Sequence, residues 1–251
     1  MISFMDPIAQ LKRWVETSHQ VVVFTGAGIS TESGISDYRS QGGIWKRFQP
    51  VTIQEFVEDE QKRRLYWQRK LALYEENKEA KPNLGHQAIV RLEQQGKLRA
   101  LITQNIDGLH QLAGSSKEKT LEIHGTTLEV ICLSCQDVHP WEHTYRRLKS
   151  GDDIPLCERC GGLLKPNTIS FGQNLNSHLL EQAFLHAREC DLLLVLGSSL
   201  VVEPAATIPR IAKQQGACLV IITQSATPLD SLADLKMEAS IGETMHSVVG
   251  V

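Results

Sequence analysis

The octapeptide Val21-Val22-Val23-Phe24-Thr25-Gly26-Ala27-Gly28 is an apolar run that ends in a glycine turn. Apolar residues without alternation are typical of a strand that is covered on both faces of a parallel sheet. Glycines after such a strand let the backbone approach a ligand, and free N–H groups at a helix start favour an anion. The octapeptide therefore indicates a phosphate-binding turn, although a plain tight turn explains Gly-x-Gly alone almost as well.

This turn departs from the fingerprint of dinucleotide-binding dehydrogenases. The fingerprint has a third glycine where Thr31 stands, and the next glycine in this chain is Gly34. It also has a second strand that ends in an acidic residue about twenty residues later, and no such strand follows here. These departures argue against an ordinary enzyme that transfers a hydride.

Further apolar runs alternate with helical patterns along the chain. They predict strands over 20–25, 98–103, 121–123, 191–196 and 217–223, and helices over 7–17, 84–95, 177–188, 204–214 and 244–249. Such alternation implies right-handed crossovers and a parallel sheet with helices on both faces. We therefore expect an α/β fold with a doubly wound, Rossmann-like parallel sheet.

Two stretches do not follow this alternation. Residues 40–80 have helical character and many aromatic side chains, whereas 128–165 contain four cysteines and show little periodicity. We interpret both as insertions that together form a smaller domain above the sheet. The predicted division is a Rossmann-like domain of residues 1–39, 81–127 and 166–251, a helical module at 40–80 and a metal-binding module at 128–165.

Composition and charge narrow the class of protein and its compartment. The chain has 251 residues, of which 41% are hydrophobic and 22% charged, with a formal net charge of -3. No global basic field draws it to nucleic acid or to an anionic membrane. Charged residues interrupt the first twenty positions, and runs such as Leu192-Leu193-Leu194-Val195-Leu196 are too short to span a bilayer. We expect a cytoplasmic protein without a membrane or direct nucleic-acid partner.

Cys132, Cys135, Cys157 and Cys160 form two C-x2-C pairs that are separated by twenty-one residues. In a reducing compartment such pairs bind metal more often than they form disulfides. Four thiolates close a tetrahedral shell around zinc and leave no position for a substrate, so the predicted zinc is structural. Disulfides remain the alternative, and His139 or His143 could replace one of the ligands.

The remaining motifs follow one another in a fixed order. They are Gly26-Ala27-Gly28-Ile29-Ser30-Thr31-Glu32-Ser33-Gly34-Ile35 with Asp37-Tyr38-Arg39 and Gly43-Ile44-Trp45, Thr103-Gln104-Asn105-Ile106-Asp107-Gly108-Leu109-His110, His124-Gly125, the cysteine pairs, Lys165-Pro166-Asn167 through Phe171-Gly172, and Gly197-Ser198-Ser199-Leu200. In this order, and over essentially the whole chain, they resemble the sirtuins, the NAD-dependent protein deacylases.

The resemblance implies which residues bind NAD. They are Gly26, Ala27, Gly28, Thr31, Tyr38, Arg39, Gln104, Asn105, Ile106, Asp107, His124, Gly197, Ser198, Ser199, Thr223 and Ile241. Arg39 would bind a phosphate, and Asp107 would accept from the carboxamide of nicotinamide. Each has an ordinary alternative, since Arg39 could form a surface ion pair and Asp107 could cap the following helix.

The resemblance also implies a reaction that consumes NAD as a co-substrate. The acyl oxygen of an acylated lysine attacks the ribose carbon as nicotinamide leaves, and free lysine and O-acyl-ADP-ribose are the products. The histidine that matches the family base is His124, which would deprotonate a ribose hydroxyl, as an imidazole with an ordinary pKa of about 6.5 can do. The second catalytic residue would be Asn105, which orients the ribose or a water.

The substrate side is also covered by the resemblance. An extended acylated-lysine peptide would bind by strand addition between two segments, with contacts at Phe171, Gly172, Gln173, Val201 and Val202. Three residues differ from the family pattern: Tyr38 stands for Phe, Thr223 for Asn and Gln173 for Glu. The change at Thr223 puts an adenosine contact in doubt, and the change at Gln173 removes a charge near the peptide.

The acyl preference depends on register. Tyr66 and Arg69 form the Tyr-x-x-Arg pattern of members that favour acidic acyl groups, but they lie four residues too early when counted back from Pro82-Asn83. Lys70 and Leu73 occupy the two positions in the better register, which favours a simple deacetylase over a desuccinylase.

Two other functions stay open at this point. One is mono-ADP-ribosyl transfer or NAD hydrolysis on the same scaffold, which His124 argues against. The other is a zinc-ribbon module without enzymatic activity that binds nucleic acid or protein. The glycine turn and the net charge of -3 argue against that module.

Overall fold

A computed structural model describes residues 6–250 of the chain. Residues 1–5 and 251, which belong to the larger predicted domain, lie outside the described residues. The helices are α1 (Pro7–Thr17), α2 (Ile44–Arg47), α3 (Ile53–Glu58), α4 (Glu60–Asn77), α5 (Leu84–Gln94), α6 (Leu109–Ala113), α7 (Trp141–Lys149), α8 (Ser177–Glu189), α9 (Thr207–Gln214) and α10 (Ile241–Val249). The strands are β1 (Val21–Thr25), β2 (Leu98–Thr103), β3 (Thr120–Glu122), β4 (Gly125–Cys132), β5 (Val138–Pro140), β6 (Leu164–Thr168), β7 (Leu192–Leu196), β8 (Cys218–Ile222) and β9 (Leu235–Met237).

Six strands form a parallel sheet in the order β3-β2-β1-β7-β8-β9. From the central β1 the chain first adds strands on one side and then crosses to β7 on the other side. Ligands of such sheets bind outside the carboxyl ends of the strands, where the direction of winding reverses. The sheet therefore predicts a site between the residues that follow β1 and those that follow β7.

Helices cover both faces of this sheet, and the side chains of β1 alternate between them. Val21 and Val23 pack with residues of α1, α5 and α10, whereas Val22 and Phe24 pack with residues of α8 and α9. All four are fully buried. Apolar residues at every position of the central strands are thus explained, because each face has its own hydrophobic core. The predicted doubly wound fold is confirmed.

The predicted elements of this sheet are present, with differences at their ends. Each of the five predicted strands agrees with the structure to within one residue at either end, whereas β9 was not predicted. Helix α9 begins at Thr207 instead of 204, because 203–206 form turns. Helix α10 begins at Ile241 instead of 244, because the side chain of Ser240 accepts a hydrogen bond from the Glu243 N–H and so caps the helix there.

Glu32, in the 3₁₀-helix Ala27–Ser33 after β1, also fixes the start of α10. Its Oε1 accepts hydrogen bonds from Ile241 N at 2.9 Å and from Ser240 Oγ at 3.1 Å, and both of its oxygens lie 3.2 Å from Gly242 N. A carboxylate is stabilising at a helix N-terminus, where the first backbone N–H groups have no partner inside the helix. The glycine turn and the last described helix are therefore joined.

A second, antiparallel sheet has the order β5-β4-β6. The region 128–165, whose sequence shows little periodicity, contributes most of this sheet together with helix α7. Helix α4, from the other insertion, packs onto it through Trp67, whose ring lies 6.3 Å from Trp141 with an angle of 20° between the planes. The apolar cluster under these elements contains Trp67, Val130, Cys132, Trp141, Leu148, Cys157 and Leu164.

None of the helices between residues 6 and 250 is both long enough and apolar enough to cross a bilayer.

Candidate active site and metal centre

A cavity of about 1000 Å³ opens at the carboxyl ends of β1, β2, β7 and β8, below α2 and α4. It brings together fourteen of the residues that were predicted to bind NAD: Ala27, Gly28, Thr31, Tyr38, Arg39, Gln104, Asn105, Ile106, His124, Gly197, Ser198, Ser199, Thr223 and Ile241. Gly26 and Asp107 do not line it. Of the predicted peptide contacts, Phe171, Gly172, Gln173 and Val202 line the cavity, and Val201 does not.

The ends of β1 and β7 approach each other so closely that only glycine is accommodated. Gly28 N donates to Gly197 O at 2.9 Å, and a Cβ on Gly28 would lie 2.7 Å from Gly197 Cα. Gly197 has a φ of +69°, which side chains rarely adopt. A Cβ on Gly26 would also lie 2.8 Å from Gly197 O. Gly26 therefore contributes by allowing the ends of β1 and β7 to approach each other. The absence of side chains at these glycines leaves room for a pyrophosphate.

His124 follows β3 and is half-buried. Its Nδ1 lies 3.1 Å from the carbonyl oxygen of Gln104. Because a carbonyl oxygen only accepts, Nδ1 carries the proton and Nε2 of the neutral ring is left as the acceptor. Burial lowers the pKa of His124, the Gln104 carbonyl raises it and the Arg39 charge lowers it, with a net shift downward. The imidazole is therefore neutral at pH 7, as a general base must be.

Asn105 and Asp107 are joined by Ser30, a residue to which sequence reasoning assigned no role. Asn105 Nδ2 donates to Ser30 Oγ at 3.2 Å, and Ser30 Oγ donates to Asp107 Oδ2 at 2.7 Å. Asp107 Oδ1 accepts from Leu109 N, at the first residue of α6, at 2.9 Å, although the N-cap position of that helix is Gly108. Ser30 lies inside the first quoted motif, which was the signal that could have identified it.

Arg39 is exposed and, among the described residues, takes part in no ion pair, so the surface-pair alternative is wrong. Its guanidinium carbon lies 4.1 Å from the centroid of the Trp45 ring. Thr223 follows β8 and is 8% exposed. Its backbone N–H donates to Met237 O at 3.1 Å.

The predicted peptide contacts lie on two exposed segments. Phe171 is 46% exposed and Val201 is 53% exposed, which is unusual for large apolar side chains beside a cavity. Gln173 Oε1 accepts from Ser170 N at 3.2 Å, so the residue that replaces the common Glu stabilises its own turn. Ile169 N donates to His124 O at 2.9 Å, which ties the first segment to the histidine.

One face of α4 forms the upper wall of the cavity. Tyr66, Arg69, Lys70 and Leu73 all line it, since residues three and four apart share a helix face. Arg69 Nη1 donates to Gln49 O, whereas Lys70 Nζ has no hydrogen bond or ion pair in the described chain and lies 5.7 Å from the Tyr66 ring centroid. Burial lowers the pKa of Lys70 to about 8. The structure therefore does not separate the two registers, because both residue pairs face the cavity.

The four paired cysteines meet at the end of β4. Their sulfurs all lie within 4.8 Å of one another, with 3.5 Å between Cys132 and Cys160 and 3.8 Å between Cys135 and Cys157. All four are free thiols, so the disulfide alternative is wrong. Zinc–sulfur bonds of about 2.3 Å in a tetrahedron require sulfurs about 3.8 Å apart, which this cluster matches. Zinc bound there would join β4 to the loop before β6 and would have no role in the chemistry.

The two histidines near this cluster are not part of it. His139 Nε2 is 3.0 Å from Thr144 Oγ1, and His143 Nε2 is 3.6 Å from Glu158 Oε1. Among the described residues, the group that could hold a metal ion at this place consists of the four cysteines and includes neither histidine.

A cavity edged by glycines at the carboxyl ends of a doubly wound sheet, with a neutral imidazole inside it, is typical of an enzyme that binds a dinucleotide. The family model described as the Sir2 family matches residues 26–204, and the chain belongs to that family. It is an NAD-dependent protein deacetylase or deacylase, for which NAD is the co-substrate. The predicted sirtuin is thus confirmed.

Relatives and solved structures agree over the full length. The chain is 43% identical over 250 residues to the NAD-dependent protein deacetylase of Thermodesulfovibrio yellowstonii, which covers 100% of this chain and 97% of that protein. A structure described in work on the mechanism and regulation of Sir2 enzymes has a TM-score of 0.88 at 38% identity and covers 98% of this chain and 97% of its own. A Sir2 complex with a p53 peptide and NAD⁺ has a TM-score of 0.80 at 37% identity, with 97% of each chain covered.

Proposed function

We propose that His124 is the general base of the deacylation and that its Nε2 accepts the proton of a ribose hydroxyl. The observation that supports this most directly is the Nδ1 contact to the Gln104 carbonyl, since it leaves Nε2 as the only acceptor of the ring. The lowered pKa supports the same role, because the ring stays neutral at physiological pH. No other described imidazole lines the cavity.

The Asn105–Ser30–Asp107 chain of hydrogen bonds positions NAD in this proposal. Ser30 Oγ accepts from Asn105 and donates to Asp107, so the amide oxygen of Asn105 is free for the ribose or a water. Arg39 and the backbone after β1 bind the phosphates, where the glycines at 26, 28 and 197 leave space. Thr223 offers one hydroxyl to the adenosine ribose, where an Asn would offer an amide.

The substrate is an acylated lysine on an extended segment of protein. It lies between the segments 170–173 and 201–203 and pairs with them through backbone hydrogen bonds, so the sequence preference is weak. The exposed Phe171 and Val201 cover its apolar side chains. We place the protein in the cytoplasm, and we expect no direct nucleic-acid partner because the net charge is -3.

In this proposal the helical module of 40–80 forms the upper wall of the acyl site through α4, and the metal-binding module of 128–165 supports that helix through the contact of Trp67 with Trp141. The proposed large domain consists of residues 1–39, 81–127 and 166–251. The two modules of the small domain consist of residues 40–80 and 128–165. Strands β4 and β6 extend to Gly125 and Thr168 and so cross these boundaries by a few residues.

The test is to incubate the protein with NAD and a panel of acetyl-, succinyl- and longer-acyl-lysine peptides and to analyse the products by mass spectrometry. Free lysine together with O-acyl-ADP-ribose supports the proposal. A peptide that gains the mass of ADP-ribose would instead establish transfer to protein. The control variant is His178→Ala, which changes an exposed histidine on α8. It shows how much activity is lost through preparation of a variant alone.

A negatively charged acyl group is the second candidate, and one observation favours it. Lys70 presents an ammonium group to the cavity without any carboxylate partner among the described residues, and Arg69 lies beside it on the same wall. A carboxylate on the acyl chain would supply the missing partner. Lys70→Met should then reduce turnover of a succinyl peptide far more than turnover of an acetyl peptide. Equal effects on both peptides would leave the acetyl group as the preferred substrate.

A further inference from the structure

Trp45 connects the loop that carries Tyr38 and Arg39 to the segment that carries Phe171. The Trp45 ring lies 5.5 Å from the Tyr38 ring and 5.5 Å from the Phe171 ring, measured between centroids. The Arg39 guanidinium carbon lies 4.1 Å from the same indole. One side chain thus contacts two proposed NAD-binding residues and one proposed peptide-binding residue.

Backbone hydrogen bonds join Trp45 to the segment that carries Tyr38. Trp45 N donates to Tyr38 O at 3.1 Å, and Ile44 N donates to Asp37 O at 2.8 Å, so the loop 37–45 is closed on itself. A Cβ on Gly43 would lie 2.7 Å from the Tyr38 carbonyl, which shows how closely the two ends of the loop pack. The backbone of Trp45 is therefore attached directly to that of Tyr38, and the two rings are in contact as well.

The peptide side is tied to the same loop by a second contact. Ile53 N, at the start of α3, donates to the Phe171 carbonyl at 2.9 Å. The Phe171 ring itself stays 46% exposed and has Trp45 as its aromatic neighbour. A peptide that covers this ring removes its freedom to leave Trp45, and a fixed Trp45 in turn holds Tyr38 and Arg39.

We propose that Trp45 is a positioning residue through which a bound acyl-lysine peptide strengthens the binding of NAD. By linkage, NAD strengthens the binding of the peptide by the same factor. This inference rests on the proposed function, because it takes Phe171 as a peptide contact and Tyr38 and Arg39 as NAD contacts. It adds that the two sites communicate through one indole instead of through the sheet below them.

The expected size follows from the contact that joins the two sides. A single aromatic pair at this separation changes an equilibrium constant by about 2- to 12-fold beyond the effect of burial. The coupling factor, defined as the ratio of the peptide Kd without and with the nucleotide, should therefore be about 2 to 12.

The experiment measures this factor by isothermal titration of the full-length, zinc-loaded protein. An acetyl-lysine peptide is titrated in the absence and in the presence of saturating ADP-ribose, which is the part of NAD that Tyr38 and Arg39 would contact. Trp45→Ala should lower the factor to about 1, whereas Trp45→Phe keeps a ring and should retain part of it. Phe171→Ala should also lower it to about 1, and the double variant should show no further loss.

Phe48→Ala is the matched control. The Phe48 ring faces the guanidinium carbons of Arg47 at 5.0 Å and Arg69 at 5.3 Å, and it forms no ring contact with Tyr38, Trp45 or Phe171 in the described structure. Phe48→Ala therefore changes the same part of the cavity but leaves the contacts of Trp45 with Tyr38 and Phe171 in place. Its coupling factor should equal that of the unchanged protein.

Three results would overturn the proposal. One is a factor of 1 in the unchanged protein when both ligands bind, which refutes the coupling alone. Another is a Trp45→Ala or Phe171→Ala protein that keeps the full factor. Phe171→Ala changes an exposed ring, so it provides the answer even if Trp45→Ala does not fold. Failure of either ligand to bind the unchanged protein would remove the proposed function together with the coupling.

Discussion

The six-stranded sheet and the three-stranded sheet are stabilised in different ways. The central strands of the large sheet are fully buried between two apolar cores. The small sheet has one apolar cluster, and two of its members are the zinc-ligand candidates Cys132 and Cys157. We therefore expect hydrophobic burial to be sufficient for the first sheet, and the second to depend on a metal ion bound by its four cysteines. The proposed chemistry follows the same division, since His124 follows β3 of the large sheet and α4, which forms the upper wall of the cavity, packs on the small sheet.

Removal of zinc should give the largest difference between the two sheets. Structural zinc contributes about 10–16 kcal/mol of apparent binding free energy in small metal-dependent folds, which exceeds what one apolar cluster provides. Chelation, or Cys132→Ser, should unfold β4–β6 and α7 while the large sheet remains folded. Limited proteolysis should then cut between residues 125 and 168. Activity should be lost because α4, which forms the upper wall of the cavity, no longer has the small sheet to pack on.

A metal assay on the unchanged protein should find one zinc per chain. Cys190→Ala is the matched control, because Cys190 is 7% exposed in the core of the large sheet and distant from the four sulfurs in sequence. That variant should keep its zinc. Soluble, active protein without zinc would contradict the assignment.

His124→Ala should remove chemistry without affecting either sheet. General base catalysis contributes about 10²- to 10⁴-fold, so deacylation should fall by that factor while both unfolding transitions stay in place. Nicotinamide exchange should survive better than deacylation, because the acyl oxygen and not His124 attacks first. Equal loss of both rates, in folded protein that still binds NAD, would show that the imidazole acts at an earlier step.

Leu194→Ala tests the large sheet alone. Leu194 is fully buried on β7, and deletion of such a side chain costs about 2–5 kcal/mol. The unfolding transition of the large sheet should move to lower temperature, and zinc content should not change. Leu232→Ala, at a residue that is 42% exposed, should have an effect below about 0.5 kcal/mol. A shared shift of both transitions would mean that the two sheets unfold as one unit.

The pH dependence separates the two regions in another way. Burial lowers the pKa of His124, so its neutral form persists to lower pH than that of an ordinary imidazole. The rate should therefore hold through about pH 6.5 and fall about tenfold per unit below the pKa of His124. This fall should reverse at once when the pH is restored, whereas loss of zinc by protonation of thiolates should require the metal to be added back. A fall that begins above pH 7 would contradict the neutral, buried imidazole.

The smallest expected effect concerns the contact of α4 with the metal-binding module. Arg64 Nη1 lies 2.6 Å from Asp153 Oδ2, but the two side chains are 42% and 52% exposed. Exposed pairs contribute about 0.2–1 kcal/mol, so a double-mutant cycle with Arg64→Ala and Asp153→Ala should give a coupling within that range. A larger coupling would mean that this ion pair, and not the stacked Trp67 and Trp141, holds the helix on the small sheet.

The sequence predicted the large sheet better than the small one for a physical reason. Each central strand is a continuous apolar run, so it can be recognised as a strand from its own sequence, without knowing which strands lie beside it. Strand β4 instead alternates irregularly between buried and exposed residues, and β5 and β9 have only three residues each. Short strands with one covered face depend on partners that the local pattern does not reveal.

The candidate site shows the same limit. Motif residues such as Gly28, Asn105 and His124 could be named because their order along the chain is distinctive. The role of Ser30 between Asn105 and Asp107, and the position of Trp45 between two segments, depend on contacts across 75 and 126 residues that no spacing rule encodes. Counting back from Pro82 does not decide the acyl preference, because one face of α4 presents both Tyr66 and Lys70 to the same cavity.

The carboxylate of Glu32 joins the turn after β1 to the N-terminus of α10. Its partners, Ile241 N and Gly242 N, lie 209 and 210 residues further along the chain, and Ile241 itself lines the cavity. The wall of the cavity at this point is complete only when the two ends of the described chain have folded against each other, so the last helix is a part of the site as well as of the core.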